Sequence, residues 1–368
     1  MEFRPATLED YAAITAVRRR NGLVSAADLT LDEWTHVWMA NPARKAFPGL
    51  GGALVLVSDQ GEIVGTVDQI PQVYEWNGRR LVAQAGSSAA VDPAYRRFSL
   101  MLIDAYFGQS DVDLWITTTA NPVSSRIWGY YKAEPVPVPW YGEPLTCVMN
   151  YPRGVARVLR KRAIPGASVL KYPMGLAAWA LDVVRRRNRM GAPPSGVRSV
   201  ASFDERFDGL WSILRQEPNR LLAVRDRETL AWHFRIPMQR GKAVILVLEE
   251  GANLLGYTVL IRSDDKETGR KELTMADLQV ASEDAKYVQS LVSGALHAAR
   301  RLGVDIVEIT GLSAVKRRVM EQFRLRSKRR DHCPFFYRAR DPALHAALRH
   351  PEPWDPSRYD GDASLFSH

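Results

Sequence analysis

LVAQAGSSAAVDPAYRRFSLMLIDAYF, residues 81–107, contains a change of rhythm from which the rest of the chain can be laid out. Its first half is apolar and small: Leu81, Val82, Ala83 and Ala85, then Ala89, Ala90 and Val91. No large residues recur there at helical spacing, so it reads as a buried strand. Asp92-Pro93 ends that strand, because proline fixes φ and removes a ladder donor. Beyond it, Leu100, Ile103 and Phe107 fall at helical spacing, which places a helix start between Tyr95 and Ser99. A strand, a short turn with Arg96 and Arg97 and a helix start together make a ready phosphate site. Backbone N–H groups, the positive helix end and two guanidinium groups converge on one spot. The same residues also describe an ordinary strand-to-helix corner with solvated arginines.

Upstream, Glu2 to Ala6 reads as a strand and the following residues to Arg20 as a helix. Thr7 and Asp10 form a loose capping box, and Leu8, Tyr11, Ile14 and Val17 give an apolar face. Leu29 to Met39 reads as a second helix. Gly51 to Asp59 and Ile63 to Tyr74 read as strands, and Asn77-Gly78 is a strong hairpin signal leading into Leu81. Three strands thus precede the quoted segment, the last two expected to form an antiparallel meander with it. Downstream, Asp113 to Ala120 is β-rich, Asn121-Pro122 stops it, and Ser124 to Tyr131 reads as a short helix.

The run V-D-P-x-Y-R-x-x-x-x-x-L, from Val91 to Leu102, resembles the acyl-CoA segment of the GNAT acyltransferases, and so does the element order around it. The opening R-P-A-T-x-E-D is similar to the start of many GNAT domains. Arg96 matches the first position of that family's R/Q-x-x-G-x-G/A motif, while Ser99 and Met101 stand where glycines are expected. Those glycines let backbone approach phosphate closely, so cofactor grip is the point this departure puts in question. The resemblance implies a pyrophosphate held by Arg96 and the N–H groups of Arg97, Phe98, Ser99, Leu100 and Met101. It implies a thioester oxygen on the N–H of Ala90 or Val91, between strands that splay apart. A second resemblance, N-x-x-x-x-x-x-W-x-Y-Y from Asn121 to Tyr131, implies Asn121 on the pantetheine arm. Trp128 occupies the place of the family's tyrosine. An indole does not ionise usefully, so the acid for the leaving thiolate becomes Tyr131, Tyr130 or water. Asp68 and His36 are the candidate catalytic partners, with Gln84 for hydrogen bonding and Thr117 to Thr119 along the cleft. Each also has an ordinary structural reading: a packing histidine, a solvent-facing strand aspartate, an aromatic packing helix.

Glu134 to Pro152 is proline- and aromatic-rich and reads as the close of the first unit. A basic connector follows, its apolar run from Met174 to Val184 too short for the roughly 20 residues of a membrane span. It suits a linker helix or a helix on an anionic membrane surface. Gly191 to Gly196 (GAPPSG) is the clearest boundary, and from Val197 the strand and helix order of the first half restarts. Arg227 to Phe234 (R-x-x-L-x-W-x-F) resembles a segment of two-domain GNAT-like proteins of bacterial surface-polysaccharide gene sets. At the second cofactor turn, Glu283 and Asp284 would repel a pyrophosphate.

The expected fold is therefore α/β, two tandem GNAT-like domains, each a twisted mixed, largely antiparallel sheet flanked by helices. The units are 1–152, which binds acyl-CoA, a connector 153–196, 197–341, which has no CoA motif, and a turn-rich tail 342–368. In that tail Asp360 and Asp362 read as a solvated turn or a cation site.

A chain of 368 residues, 46% hydrophobic and 25% charged, has apolar material for two cores. Its net charge of +9 favours polyanionic partners without choosing among them. Cys147 and Cys333 form neither a disulfide framework nor a metal pattern, and no secretory signal is read at the N-terminus. A reducing cytoplasm is the simplest compartment, with the inner face of the membrane as a refinement. No P-loop, zinc spacing or nucleophile elbow is present. The function implied is N-acyl transfer from acetyl-CoA or another acyl-CoA, without a metal, to a small-molecule amine such as an amino sugar of a surface polysaccharide. The alternatives are an aminoacyl transferase resembling the peptidoglycan-bridge enzymes, using tRNA, and a non-catalytic degenerate pair acting as a binding subunit.

Overall fold

The structure, a computed structural model, describes the chain apart from residues 24–28, 186, 188–189, 191–193, 266–267, 328, 330–333 and 366–368. Most of the boundary at Gly191 to Gly196, and Cys333, lie outside the described residues.

In chain order the strands are β1 (Glu2–Pro5), β2 (Gly52–Val57), β3 (Ile63–Trp76), β4 (Arg79–Val91), β5 (Leu114–Thr117), β6 (Glu134–Pro135), β7 (Leu145–Val148) and β8 (Val197–Val200). They continue with β9 (Leu222–Ala223), β10 (Ala243–Glu250), β11 (Asn253–Asp264), β12 (Lys271–Val280), β13 (Ile306–Ile309), β14 (Arg326–Ser327) and β15 (Phe336–Ala339). Two mixed sheets result. The first runs β1-β2-β3-β4-β5-β15-β6, with β9 on β3, and the second runs β14-β7-β13-β12-β11-β10-β8. Each has an antiparallel meander, β2-β3-β4 or β10-β11-β12, followed by one parallel neighbour, β5 or β13. Asn77 and Gly78 both take positive φ, as the tight turn joining β3 to β4 requires.

The sheets exchange their last strands. β7 leaves the first half to pair with β13, and β15 returns from the second half to pair with β5. A first unit closing at residue 152 and a second at 341 therefore do not coincide with the sheets. Glu134 to Pro152 does not end the first sheet; it crosses to the second. The reason is the parallel neighbour of each meander, which needs a partner on its open side, and each half supplies the other's.

The tail corrects the expectation of a solvated turn. Trp354, Asp355, Tyr359, Asp360, Asp362 and Leu365 are all buried. Asp355 accepts from Lys316 Nζ at 2.6 Å, Arg220 Nη2 at 2.6 Å and the Ser313 N–H at 2.7 Å. Tyr359 Oη donates to the Val224 carbonyl at 2.6 Å, and Tyr74 Oη donates to Asp360 at 3.0 Å. The tail is thus a seam bonded to both sheets. The Arg227–His233 helix closes the same seam. Trp232 Nε1 donates to the His36 carbonyl at 3.1 Å and lies 2.9 Å, through its own carbonyl, from His36 Nε2. The aromatics of that segment are packing groups.

Candidate functional site

Parallel pairing of β4 with β5 covers only Ala83–Leu114, Gln84–Trp115 and Ala85–Ile116. From Gly86 and Thr117 the strands part, and a 630 Å³ cavity opens between them, the Pro122–Tyr130 helix and the face of the second sheet. β4 also bulges here. Thr66 faces Ala90 and Asp68 faces Ser87, so one residue of β3 lies opposite Ser88 and Ala89. Ser88 takes φ +49 to make the turn. A bulge leaves its extra residue out of the ladder, and Ser88 and Ala89 both line the cavity.

The floor is set by Gly86. A Cβ there would lie 3.0 Å from Tyr106 Oη and 3.2 Å from the Trp128 ring, both of which line the cavity. Tyr106 Oη donates to the Gln84 carbonyl at 2.9 Å. Asn121 sits at the rim. Its side-chain oxygen caps the Pro122–Tyr130 helix, accepting from Val123 and Ser124 at 2.9 and 3.0 Å.

The tail delivers a carboxylate into this space. Asp362 lines the cavity yet is buried, accepting from Thr118 Oγ1 at 3.0 Å and from Thr119 Oγ1 at 3.0 and 3.1 Å. Burial raises its pKa above the ordinary aspartate value, against the lowering pull of the Ser87, Thr118 and Thr119 hydroxyls. Gly361 permits the approach. It holds φ +70, and a Cβ would sit 2.8 Å from Thr118 Oγ1. Gln72 brackets it, donating to its carbonyl at 3.1 Å and accepting from its N–H at 3.2 Å. Opposite, the second sheet contributes Glu272, whose pKa burial raises, with Thr274, Ser263 and, from the tail, Arg358.

The residues expected from sequence divide sharply. Asn121 and Trp128 line the cavity, and so do Thr117 and Thr119. Ala90 and Val91 do not. They remain in register with Thr66 and Gly65, and the bulge two residues earlier does the turning. Arg96, Arg97, Phe98, Ser99, Leu100 and Met101 also lie off the cavity lining. A 3-10 turn over Pro93–Phe98 precedes the Ser99–Phe107 helix, and the Ser99 N–H is already spent on the Arg96 carbonyl. The α-helix opens at Ser99, at the end of the expected Tyr95–Ser99 window, and the 3-10 turn before it carries Arg96, Arg97 and Phe98. Arg96 and Arg97 are exposed, and Arg97 lies over the Phe98 ring.

Tyr130 is 75% exposed, and Tyr131 is stacked on Phe107 with its hydroxyl donated to Asp104. Neither phenol reaches the cavity; Tyr106 does. Asp68 is no solvent-facing strand residue. It is fully buried in an ion pair with Arg18, and burial lifts its pKa to about 6. It stands behind Ser88 rather than in the cleft. His36 is held at the seam against Trp232, remote from the cavity lining, and burial lowers its pKa. Tyr106 and Asp362 are the groups sequence reading missed. Tyr106 had a signal, since it falls one helical turn from Ile103 on the helix the motif opens. Asp362 had none, because nothing local brings residue 362 to the end of β5. Glu283 and Asp284, in the second cofactor turn, are spent on Ser313 Oγ and the Lys286 N–H. Among the described residues no group of His, Cys, Asp and Glu is arranged to hold a metal ion.

No family model matches the sequence, and no curated protein matches it. The fold is similar to that of solved structures. One is a GCN5-related N-acetyltransferase from Anabaena variabilis, at TM-score 0.55 and 13% identity over 92% of this chain and 72% of that one. Another is a conserved protein of unknown function from Enterococcus faecalis, named a probable N-acyltransferase, at TM-score 0.57 and 10% identity over the same shares. A third is a GCN5-related N-acetyltransferase from Kribbella flavida, at TM-score 0.53 and 14% identity over 92% of this chain and 70% of that one. At such identities the likeness is one of fold, and the tandem GNAT-like fold is what this chain has.

Proposed function

We propose that the protein transfers an acyl group from acyl-CoA to the amine of a small molecule, in the cavity between the parted ends of β4 and β5 and the second sheet. The observation that carries this reading is Asp362, a buried carboxylate held by Thr118 and Thr119 in the cavity that the Ser88–Ala89 bulge also lines, its pKa raised by burial. The pantetheine arm fits between Gly86–Ala89 and Thr117–Asn121, with the Asn121 amide at its edge. N–H groups of the bulge hold the thioester oxygen as charge develops on it. Asp362 takes the proton from the acceptor ammonium, and Glu272 adds negative charge on the acceptor side. The amine then attacks the thioester carbon. A C–N bond forms, the C–S bond breaks, Tyr106 gives its proton to the departing sulfur, and the second proton lost from nitrogen as the amide forms restores the phenol. An amino sugar carries such an ammonium group and is the first acceptor to assay.

The test is thiol release from acetyl-CoA across a panel of amines, with Asp362→Asn beside the wild type. General-base loss is expected to lower kcat by about 10²–10⁴ with acyl-CoA affinity kept. Acetyl-CoA binding with no thiol released to any amine would instead favour the non-catalytic reading.

A further inference from the structure

Between β7 and β8 the chain forms two helices, Tyr151–Lys161 and Ala167–Val184, packed as a hairpin outside both sheets. The second helix is turned inside out. Its two buried positions are Gly175 and Asp182. Gly175 lets the helix cross Pro152, since a Cβ there would lie 2.8 Å from the Pro152 Cα. Asp182 accepts from Tyr151 Oη at 2.8 Å and Arg326 Nη2 at 2.7 Å. The polar anchor faces inward. Outward stand Val169, Tyr172, Leu176, Trp179 and Val183, three or four residues apart and 70%, 62%, 64%, 49% and 53% exposed. That spacing makes one continuous apolar stripe on the solvent side.

Charge identifies what covers it. Residues 153–189 hold ten Lys and Arg and one acid, Asp182, which is already buried and paired. Arg160, Lys161, Arg162 and Arg185 are exposed at the ends of the two helices, flanking the stripe. A second copy of this chain would bring the same cations against one another, which like-charge repulsion opposes. A partner with an apolar interior and an anionic skin satisfies both features. No helix among the described residues is long and apolar enough to cross a membrane, so the contact is with a surface.

We propose that this hairpin docks the protein on an anionic phospholipid bilayer. Ala167–Val184 lies in the interfacial plane with its stripe among the acyl chains, Trp179 at headgroup depth and the flanking cations on lipid phosphates. The assignment is independent of the chemistry in the cavity.

The test is co-sedimentation of the full chain with vesicles of phosphatidylcholine, with and without about 30 mol% phosphatidylglycerol. Binding is expected on the anionic vesicles only, weakened by high salt. Leu176→Glu with Trp179→Glu is expected to lower the partition coefficient by about tenfold or more. Unfolding should be unchanged, because both side chains face solvent. Equal sedimentation of wild type and variant would overturn the proposal, as would failure of the wild type to bind anionic vesicles at low salt. A dimer seen by light scattering and dissolved by the same substitutions would assign the stripe to a second copy instead.

Discussion

Asp360 and His233 sit on the same seam and titrate in opposite senses. Burial lifts the Asp360 carboxyl to about 6, and it does the same for Asp68. A raised pKa means the folded state prefers the protonated form. That stability is whole below the ordinary aspartate value of 3.8 and is lost as pH climbs through about 6. Burial pushes the His233 imidazole down to about 3, with its Nε2 at 2.6 Å from Ser364 Oγ. Its stability is whole above 6.5 and is lost as pH falls toward 3. Between about 4 and 6 the two contributions oppose. Relative to wild type, Asp360→Asn should tilt stability upward with pH and His233→Gln should tilt it downward, read as urea midpoints at several pH values. Shifts of slope in the same sense in both variants would refute this. None of it was legible in the sequence. Asp68, Asp360 and Asp362 read as solvated because burial is decided by tertiary neighbours up to hundreds of residues away. Tyr130 and Tyr131 read as cleft phenols because a motif offset fixes a helix, not the direction in which each ring leaves it.

At the scale of elements, the reading from sequence carried much further. The break at Asp92-Pro93, the Asn77-Gly78 turn and the meander of β2, β3 and β4 follow from local chemistry, and local chemistry is what a sequence displays. From Val197 the strand and helix order of the first half does restart, with β8, β10, β11, β12 and β13 in turn. The bulge at Ser88 escaped notice, because no glycine marks its positive φ. Gly361 is the comparable position in the tail and the more easily tested. Gly361→Ala places a Cβ 2.8 Å from Thr118 Oγ1 on a backbone at φ +70. It should cost about 1–3 kcal/mol of stability, the usual cost of residues forced into sparsely populated backbone regions. It should also lower thiol release further than Gly78→Ala. Gly78 too has positive φ, but a Cβ there meets nothing within 4 Å, and it lies at the far hairpin of β4. Equal losses of activity in the two variants would detach Gly361 from the site.

For the whole molecule, the exchange of β7 and β15 makes each half depend on the other. Element order alone suggested two units in series, since strand pairing between distant segments leaves no local trace. Residues 1–152 on their own lack β15, β9 and the tail, leaving the β5 edge and the wall behind Thr118 uncovered. That fragment is expected to aggregate or to lack a cooperative transition, while the full chain unfolds in one step; two separate transitions in the full chain would contradict the exchange. The same interdependence makes the cavity a joint product, with β4, β5 and the Asp362 bonded to Thr118 and Thr119 as one wall and Glu272 on the second sheet as the other. Its central test is a crystal of the full chain soaked with acetyl-CoA. The thioester is expected within hydrogen-bond reach of the Ser88–Ala89 backbone, its arm between Gly86–Ala89 and Thr117–Asn121, facing Asp362. Density for the cofactor at Glu283–Asp284 in the second half, or none at saturating acetyl-CoA, would contradict it.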